Sequence, residues 1–409
     1  MISDKVLNSL NSILDTHEII HTAKSPQSNE AITTVFPSSI ELIQDIVRIA
    51  EENSVQLIPT GNGTSLNLQF LNQDSSSLLV STNRMQRILY YEPDELVLSA
   101  EAGATLEQIQ QILLPNKQWL ALDPPHEARA TLGGIVSTNR TLFLRASYGS
   151  PRDLLIGMHA VMHKGIFIKG GGRVVKNVAG YDICKLFTNA RGTLGVLTDT
   201  TFRVQVKPEV CKVMCWEAES LLQASETGMR LYQSLLEGSA FIVTNQLGPV
   251  AKLIVLLYGP EVRVEWQKET FSSLAALKHP IELPESSLLA LRDGLGLNGC
   301  KFSCRLSLLP SELNRFLSNI EDYPGIGITV DCSLGIVWMC TETTNYAGIY
   351  QLLEILSPET NIEIIAAPVD FSLDSIRNNT RFRDVNGIHA RIKQQLDPLN
   401  TFANWKTLV

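Results

Sequence analysis

The chain has 409 residues, 44 % hydrophobic and 19 % charged, with a formal net charge of −8. At roughly 100–200 residues per domain this length makes about two or three domains with their own cores, and a net negative charge gives no general attraction to nucleic acid or anionic membranes. No run approaches the roughly 20 apolar residues of a membrane span, and the opening "MISDKVLNSLNSILDTHEII" carries acids and amides where a signal peptide needs a basic and then an apolar stretch, so a cytoplasmic protein is expected.

In chain order, Ile40 to Asn53 has helical apolar spacing, "VQLIP" (Val55 to Pro59) reads as a strand, and "SLLVS" (Ser77 to Ser81) as another, a β-α-β start. "RILYYEPDELVLSAEAGA" gives two extended segments around Pro93-Asp94-Glu95. Thr105 then opens "TLEQIQQILL" with Gln108 three residues on, as a capping box requires. "LIGMHAVMHKGIFIKGG" has two apolar runs around His163-Lys164-Gly165, the pattern of a hairpin. Mixed sheets with few helices run on to about Pro208.

Beyond Pro208 a β-α-β-β-α-β order appears twice. "VCKVMCWEA", "LLQASETGMRLYQSLLEG", "AFIVTNQ", "AKLIVLLYG", "VRVEWQKETFSSLAALK" and "PIELP" form the first round. "KFSCRLSLL", "SELNRFLSNI", "IGITVDCS", "GIVWMC", "NYAGIYQLLEIL" and "NIEIIAAP" form the second. Two ferredoxin-like halves are expected. A short basic helix in "GIHARIKQQLDPLNTFANW" should end at Asp397-Pro398 and pack back on a domain.

The seven cysteines, an odd number in a long chain, fit reduced thiols rather than a disulfide framework. Cys211 with Cys215, and Cys300 with Cys304, lie four apart in apolar segments. On a strand that spacing shares one face, which suits buried small hydrophobes better than metal or iron–sulfur ligation.

Three glycine-rich segments carry the chemistry. Directly after a strand, "IPTGNGTSLN" holds Pro59 and then Gly61, Asn62 and Gly63, which can turn consecutive backbone N–H groups inward as an anion-binding nest; the hydroxyls of Thr64 and Ser65 add donors. No Gly-Lys-Ser/Thr follows, so a nucleoside triphosphate loop is not indicated; a plain β-turn remains the other reading. In "DPPHEARATLGGIVSTN", after Pro125, the residues Thr131, Leu132, Gly133 and Gly134 open a segment ending in Ser137, Thr138 and Asn139. A helix start there would offer free N–H donors to a phosphate, or its glycines would simply serve the helix entry. Third, "KNVAGYDICKLFTNARGTLGVLTD" supplies Asn177, Gly180, Tyr181 and Asp182, then Gly192, Thr193, Gly195 and Val196; the aromatic and carboxylate would suit a packed corner or a ligand wall. "RASYGSPRDLLIGM", with Tyr148 and the neighbours Arg152 and Asp153, lies between. Several such segments suggest one large extended ligand.

Together "PTGNGTS", "ATLGGIVSTN", "YGSPRDLLIGM", "GGRVVKNVAGYDICKLF" and "GTLGVLT" resemble the flavin domain of the vanillyl-alcohol oxidase and p-cresol methylhydroxylase family, most nearly in its glycolate oxidase branch, strongly from about Phe36 to Pro208. The resemblance implies an α+β fold: a p-cresol methylhydroxylase-type FAD-binding domain of two subdomains over 1–208, a ferredoxin-like cap over 209–370, and a segment 371–409 packing back on the FAD domain. It further implies that Gly61 to Ser65 cradle the FAD pyrophosphate and that Thr131 to Gly134 with Thr138 run along diphosphate and flavin. Gly192 to Val196 would line the adenine and ribose side, with Pro59, Pro125, Ser137 and Tyr148 among the cofactor contacts. Asn177, Gly180, Tyr181 and Asp182 match the "K-N-V-A-G-Y-D" signature of the branch's FAD-binding subunit. Covalent relatives attach flavin through His or Cys in equivalent loops, which "PTGNGTS" lacks, so noncovalent FAD is expected.

The implied activity is oxidation of a 2-hydroxy acid, glycolate to glyoxylate, beside a catalytic flavin subunit and an iron–sulfur subunit, peripheral to a membrane at most through those partners. Such chemistry needs a cation for the carboxylate and a base for the hydroxyl proton. Relatives hold a metal with paired histidines and a carboxylate in the second domain, whereas here His279 and His389 stand apart, and no metal is expected. The best cation is Arg305, sharing a strand face with Lys301 and Ser303. A self-sufficient D-lactate-type dehydrogenase and a non-catalytic scaffold are the alternatives. The C-terminal segment keeps Asp397, Pro398 and Phe402 but has Ala403, Asn404 and Trp405 where relatives carry an Asn-Pro-Gly turn.

Overall fold

The computed structural model describes residues 2–15, 18–22, 32–66, 76–173, 181–234, 238, 240–278, 280–295, 300–320, 323, 325–342, 346–357, 360–368 and 387–403. The chain divides into two compact units. Unit 1 comprises Met1–Thr141, Gly149–Lys207 and Asp384–Val409; unit 2 comprises Leu142–Tyr148 and Pro208–Arg383.

Among the described residues unit 1 holds two larger sheets and one two-stranded pair. Strands β1 (Ile19–Thr22), β2 (Ile32–Val35), β3 (Gln56–Thr60) and β4 (Ser77–Ser81) order as β1-β2-β4-β3, with β4 parallel to both β2 and β3. The crossover from β2 to β3 is helix Ile40–Glu52, capped by Ser39, whose side chain accepts from the Leu42 N–H; Ile43, Ile46, Val47 and Ala50 repeat at helical spacing and are buried. A five-stranded sheet follows from β5 (Ile88–Glu92), β6 (Val97–Glu101), β8 (Leu155–Val161), β9 (Phe167–Gly171) and β10 (Val196–Arg203), in order β5-β6-β10-β8-β9. The short β7 (Gln118–Trp119) and β11 (Gln205–Val206) pair by themselves. The expected capping box is present: Thr105 accepts from the Gln108 N–H, and Gln108 accepts from the Thr105 N–H. The expected hairpin is β8–β9, antiparallel with His159 opposite Lys169.

Unit 2 is one eight-stranded sheet made of two equivalent halves. The first is β12 (Val210–Ala218), helix Leu221–Gln233, β13 (Ala240–Thr244), β14 (Ala251–Gly259), helix Glu261–Ala275 and β15 (Ile281–Leu283); the second is β16 (Phe302–Ser307), helix Pro310–Ile320, β17 (Ile326–Asp331), β18 (Ile336–Thr341), helix Ala347–Glu354 and β19 (Asn361–Ala366). The strand order β15-β12-β14-β13-β17-β18-β16-β19 repeats one ferredoxin-like arrangement about its middle. The seam is the antiparallel β13–β17 pair, where Thr244 lies opposite Thr329 and their hydroxyls meet at 2.9 Å.

Two features differ from the sequence reading. An additional helix, Glu285–Gly294, sits between the halves. Leu142–Tyr148, read as part of the first 208 residues, groups with unit 2. The reason is apolar burial: Leu142 and Phe143 join the cluster of Val213, Ile254 and Trp338, and the Phe143 ring meets Trp338 edge-on at 6.0 Å.

Candidate flavin site

A cleft in unit 1 encloses about 740 Å³ of space, open to solvent. Its lining runs from Pro59 to Leu66, then takes Thr82, Thr131, Gly133, Gly134, Ser137, Thr138, Arg191, Val196 and Leu197.

The loop after β3 forms one wall, held rigidly from several sides. The Thr82 N–H donates to the Thr60 carbonyl (3.0 Å), and the Ser81 hydroxyl donates to the Gly61 carbonyl (2.9 Å). Asn62 Nδ2 donates to the Arg129 carbonyl (3.0 Å), while Arg129 Nη2 donates back to the Asn62 carbonyl (3.2 Å). No described residue accepts from the N–H groups of Asn62, Gly63, Thr64 or Ser65. Gly63 has φ +72°, the left-handed conformation a nest uses, and a Cβ at Gly61 would fall 2.0 Å from Thr131 Oγ1. That contact locks the first wall to the second.

The second wall is helix Leu132–Thr138, whose N-cap Thr131 accepts from the Gly134 N–H at 3.2 Å. Here the expectation of free first-turn donors fails. The Leu132 N–H donates to the Ala104 carbonyl (2.9 Å) and the Gly133 N–H to the Ala102 carbonyl (2.8 Å), so these donors are spent on the chain. Gly133 is glycine for packing, since a Cβ there would sit 2.9 Å from Ala102 Cβ. Leu132 is buried and absent from the lining; Ser137 and Thr138 are on it.

The third wall is the turn Ala190–Thr193, closed by the Thr193 N–H on the Ala190 carbonyl at 3.0 Å, with Arg191 (φ 51°) and Gly192 (φ 74°) both left-handed. The Arg191 N–H donates to the Ser137 carbonyl at 2.8 Å, tying this turn to the second wall. A Cβ on Gly192 would press on Pro59 at 3.1 Å, and one on Gly195 would lie 2.6 Å from the Val161 carbonyl. Gly192, Thr193 and Gly195 therefore fix the backbone while Val196 lines the cleft. Arg191 is the one charged residue among the described lining, and it was missed in the sequence. Its position inside a glycine turn, rather than any motif, puts it there. Thr60, Leu66, Thr82 and Leu197 were likewise missed.

Other candidates lie elsewhere. Asn177 and Gly180 fall outside the described residues. Tyr181 is 96 % exposed, and Asp182 caps helix Ile183–Phe187 by accepting from the Lys185 N–H at 3.1 Å. The hydrogen bond from the Lys185 side chain holds the Asp182 carboxyl below the usual range. Pro125 is buried away from the lining. Tyr148 belongs to unit 2, where it meets Tyr258 edge-on at 6.2 Å and burial raises its phenol. In unit 2 Arg305 pairs with Glu363 at 3.4 Å. His389 is exposed and His279 lies outside the described residues, as do Asn404 and Trp405. Among the described residues no group of three His, Cys, Asp or Glu could hold a metal ion, and none of the seven cysteines is in a disulfide. No described helix is long and apolar enough to cross a membrane.

Residues 31–171 match the family model described as FAD binding domain. Over that stretch the chain is similar to this family. Among relatives it is 29 % identical over 194 residues to glycolate oxidase subunit GlcD of Bacillus subtilis (strain 168), covering 47 % of this chain and 41 % of that one. It is 38 % identical over 122 residues to glycolate oxidase subunit GlcE of Escherichia coli (strain K12), covering 30 % and 35 %. With D-2-hydroxyglutarate dehydrogenase of Stutzerimonas stutzeri (strain A1501) it shares 30 % over 188 residues, covering 46 % and 39 %. The chain thus spans about two-fifths of the length of these first relatives. A solved structure of p-cresol methylhydroxylase with substrate bound superposes with a TM-score of 0.73 at 16 % identity, covering 99 % of this chain and 96 % of that one. At that identity the likeness is one of fold, which is of the p-cresol methylhydroxylase type. The N–H donors of Asn62–Ser65 that no described residue accepts from, the close glycine backbones and Arg191 on the lining fit the FAD diphosphate.

Proposed function

We propose that the chain is the FAD-binding subunit of a complex that oxidises a small 2-hydroxy acid, glycolate to glyoxylate, with electrons passed onward to a partner. The cleft carries this reading: a backbone-walled site with one cation among its described lining, on an FAD-binding domain whose relatives are named for glycolate, D-lactate and D-2-hydroxyglutarate. In domain terms, residues 1–208 serve as the FAD-binding domain, 209–370 as the cap, and 371–409 as a segment returning to the FAD domain.

Bound FAD supplies a hydride acceptor and a store for electrons. The chain's own part is to bind and shape. The N–H groups of Asn62 to Ser65 would hold the diphosphate, Arg191 would offset its charge, and Leu66, Val196 and Leu197 would keep water from the apolar portion. None of the described lining residues is a His or Cys, which supports noncovalent attachment. Arg305 already has Glu363 as its counter-charge, which favours an electron-carrying or assembling role beside a catalytic flavin subunit and an iron–sulfur subunit. Through such partners the protein would work in the cytoplasm, peripheral to a membrane.

The test is the visible flavin spectrum of the purified protein, followed under anaerobic addition of glycolate and D-lactate with and without partners isolated from the native cell. A colourless protein that takes up no FAD would overturn the proposal. Bleaching by either acid without partners would instead establish a self-sufficient dehydrogenase, and partners retained by a flavin-free Gly61→Val, Gly63→Val variant would establish a scaffold.

A further inference from the structure

The most buried cation among the described residues of unit 1 lies outside the cleft lining. Lys393, on helix Ile388–Leu396, is 5 % exposed. Its Nζ donates to the Thr193 carbonyl at 2.6 Å, to the Phe402 carbonyl at 3.0 Å and to Asp397 Oδ2. Asp397, fully buried, also accepts from the N–H groups of Thr401 and Phe402, each at 2.9 Å. These bonds place 401–403 alongside β3: the Leu57 N–H donates to the Thr401 carbonyl at 2.7 Å and the Ala403 N–H to the Leu57 carbonyl at 2.9 Å, a parallel bridge. Ile392 and Leu396 pack on the core containing Leu194 and Leu197, and Phe402 packs with Leu57 and Val196.

One ammonium group therefore ties the third wall of the cleft to the segment that pairs with β3. Thr193 ends the turn that presents Arg191 and Gly192, and β3 carries Pro59, on which Gly192 rests, and leads into Gly61. Burying an ammonium costs heavily unless acceptors surround it; here the acceptors belong to the turn, to the helix's own end and to the strand-like stretch beside β3. We propose that Lys393 is a positioning residue of the cofactor cleft, and that docking of 387–403 and binding of FAD are coupled. The inference rests on the FAD reading above. Such coupling is reciprocal: the factor by which the docked segment tightens FAD equals the factor by which FAD stabilises the docked segment.

The experiment titrates FAD into wild type and Lys393→Met, with the fold of each checked by circular dichroism, and measures amide hydrogen exchange at Leu57 and Ala403 of the wild type with and without saturating FAD. The expected results are an FAD Kd raised at least about tenfold in the folded variant, and exchange slowed by about the same factor when FAD binds, within the usual span of coupling. A folded variant with unchanged Kd, or exchange indifferent to FAD, overturns the inference, because a lysine that merely stabilises the fold predicts both. If Lys393→Met does not fold, wild-type exchange decides alone. A wild-type chain that binds no FAD fails at the first titration and overturns the cleft reading itself.

Discussion

Unit 1 and unit 2 are built under different rules. In unit 2, alternating strands and amphipathic helices bury side chains on both faces of one sheet, and a second round of the same pattern doubles it. In unit 1 the cleft depends on backbone approaching where side chains would collide, as at Gly61 against Thr131 and Gly192 against Pro59. A periodic framework is redundant, so losing one residue costs stability in proportion to the space vacated. A wall made by close approach has no such slack.

The sharpest way to separate the two rules is a pair of glycine variants. Gly61→Val puts carbon where Thr131 Oγ1 already lies, 2.0 Å from the added Cβ, and should abolish FAD uptake as read by bound flavin absorbance. Gly63→Ala meets nothing within 4 Å and bears only its left-handed backbone, a cost of about 1–2 kcal/mol, so it should retain weakened FAD binding. Equal effects from both would break the argument from steric contact.

In unit 2 the corresponding test is a core deletion. Phe241 is fully buried on β13 and meets Phe271 and Tyr232 edge-on at 5.7 and 5.8 Å. Phe241→Ala should cost about 3–5 kcal/mol in denaturant unfolding, from lost transfer energy plus the cavity left behind. FAD affinity of the variant, measured under native conditions, should stay within about twofold, since the described cleft lining lies in unit 1; a large loss of affinity would show the units to be energetically inseparable.

What the sequence made legible follows the same division. The duplicated β-α-β-β-α-β order, the Thr105–Gln108 capping box and the loop Gly61–Ser65 are local patterns, so spacing and residue type disclose them. The spent donors of Leu132 and Gly133 were not legible, because the accepting carbonyls of Ala102 and Ala104 arrive from a segment distant in sequence. Arg191 reads as an ordinary surface cation until its turn is seen pinned to Ser137. Lys393 reads as one more charge on a basic helix, and only the fold brings Thr193 to it. Leu142 and Phe143 are apolar in any reading; which core they join is decided by tertiary packing.

Buried thiols in both units give a smaller effect with a definite sign. Burial pushes Cys184 in unit 1 up to about 11 and Cys332 in unit 2 up to about 12, against an unfolded thiol near about 8.5. Above that unfolded value the denatured chain releases a proton that the folded chain retains, so stability is full at lower pH and falls as pH rises toward each folded value. The slope is about 1.4 kcal/mol per pH unit for each thiol. Cys184→Ala and Cys332→Ala should each flatten the alkaline limb of a stability–pH curve, with Cys332→Ala doing so to the higher pH. Unchanged limbs in both variants would show that neither thiol is protected from ionising.

The smallest expected effect tests whether unit 1 also contains ordinary framework. Thr105→Ala removes one half of the capping box while leaving Leu106, Ile109 and Leu113 in their buried places. Loss of such a cap costs about 1 kcal/mol, and Thr105 is not on the cleft lining. It does bridge Thr131 across the backbone, next to the wall that Gly61 touches. If the capping term acts alone, the melting temperature falls and FAD affinity does not. A fall in affinity matching the lost stability would instead mean that the close-contact rule reaches back through Thr131 to this helix, and the boundary between framework and site would have to be drawn farther from the cleft.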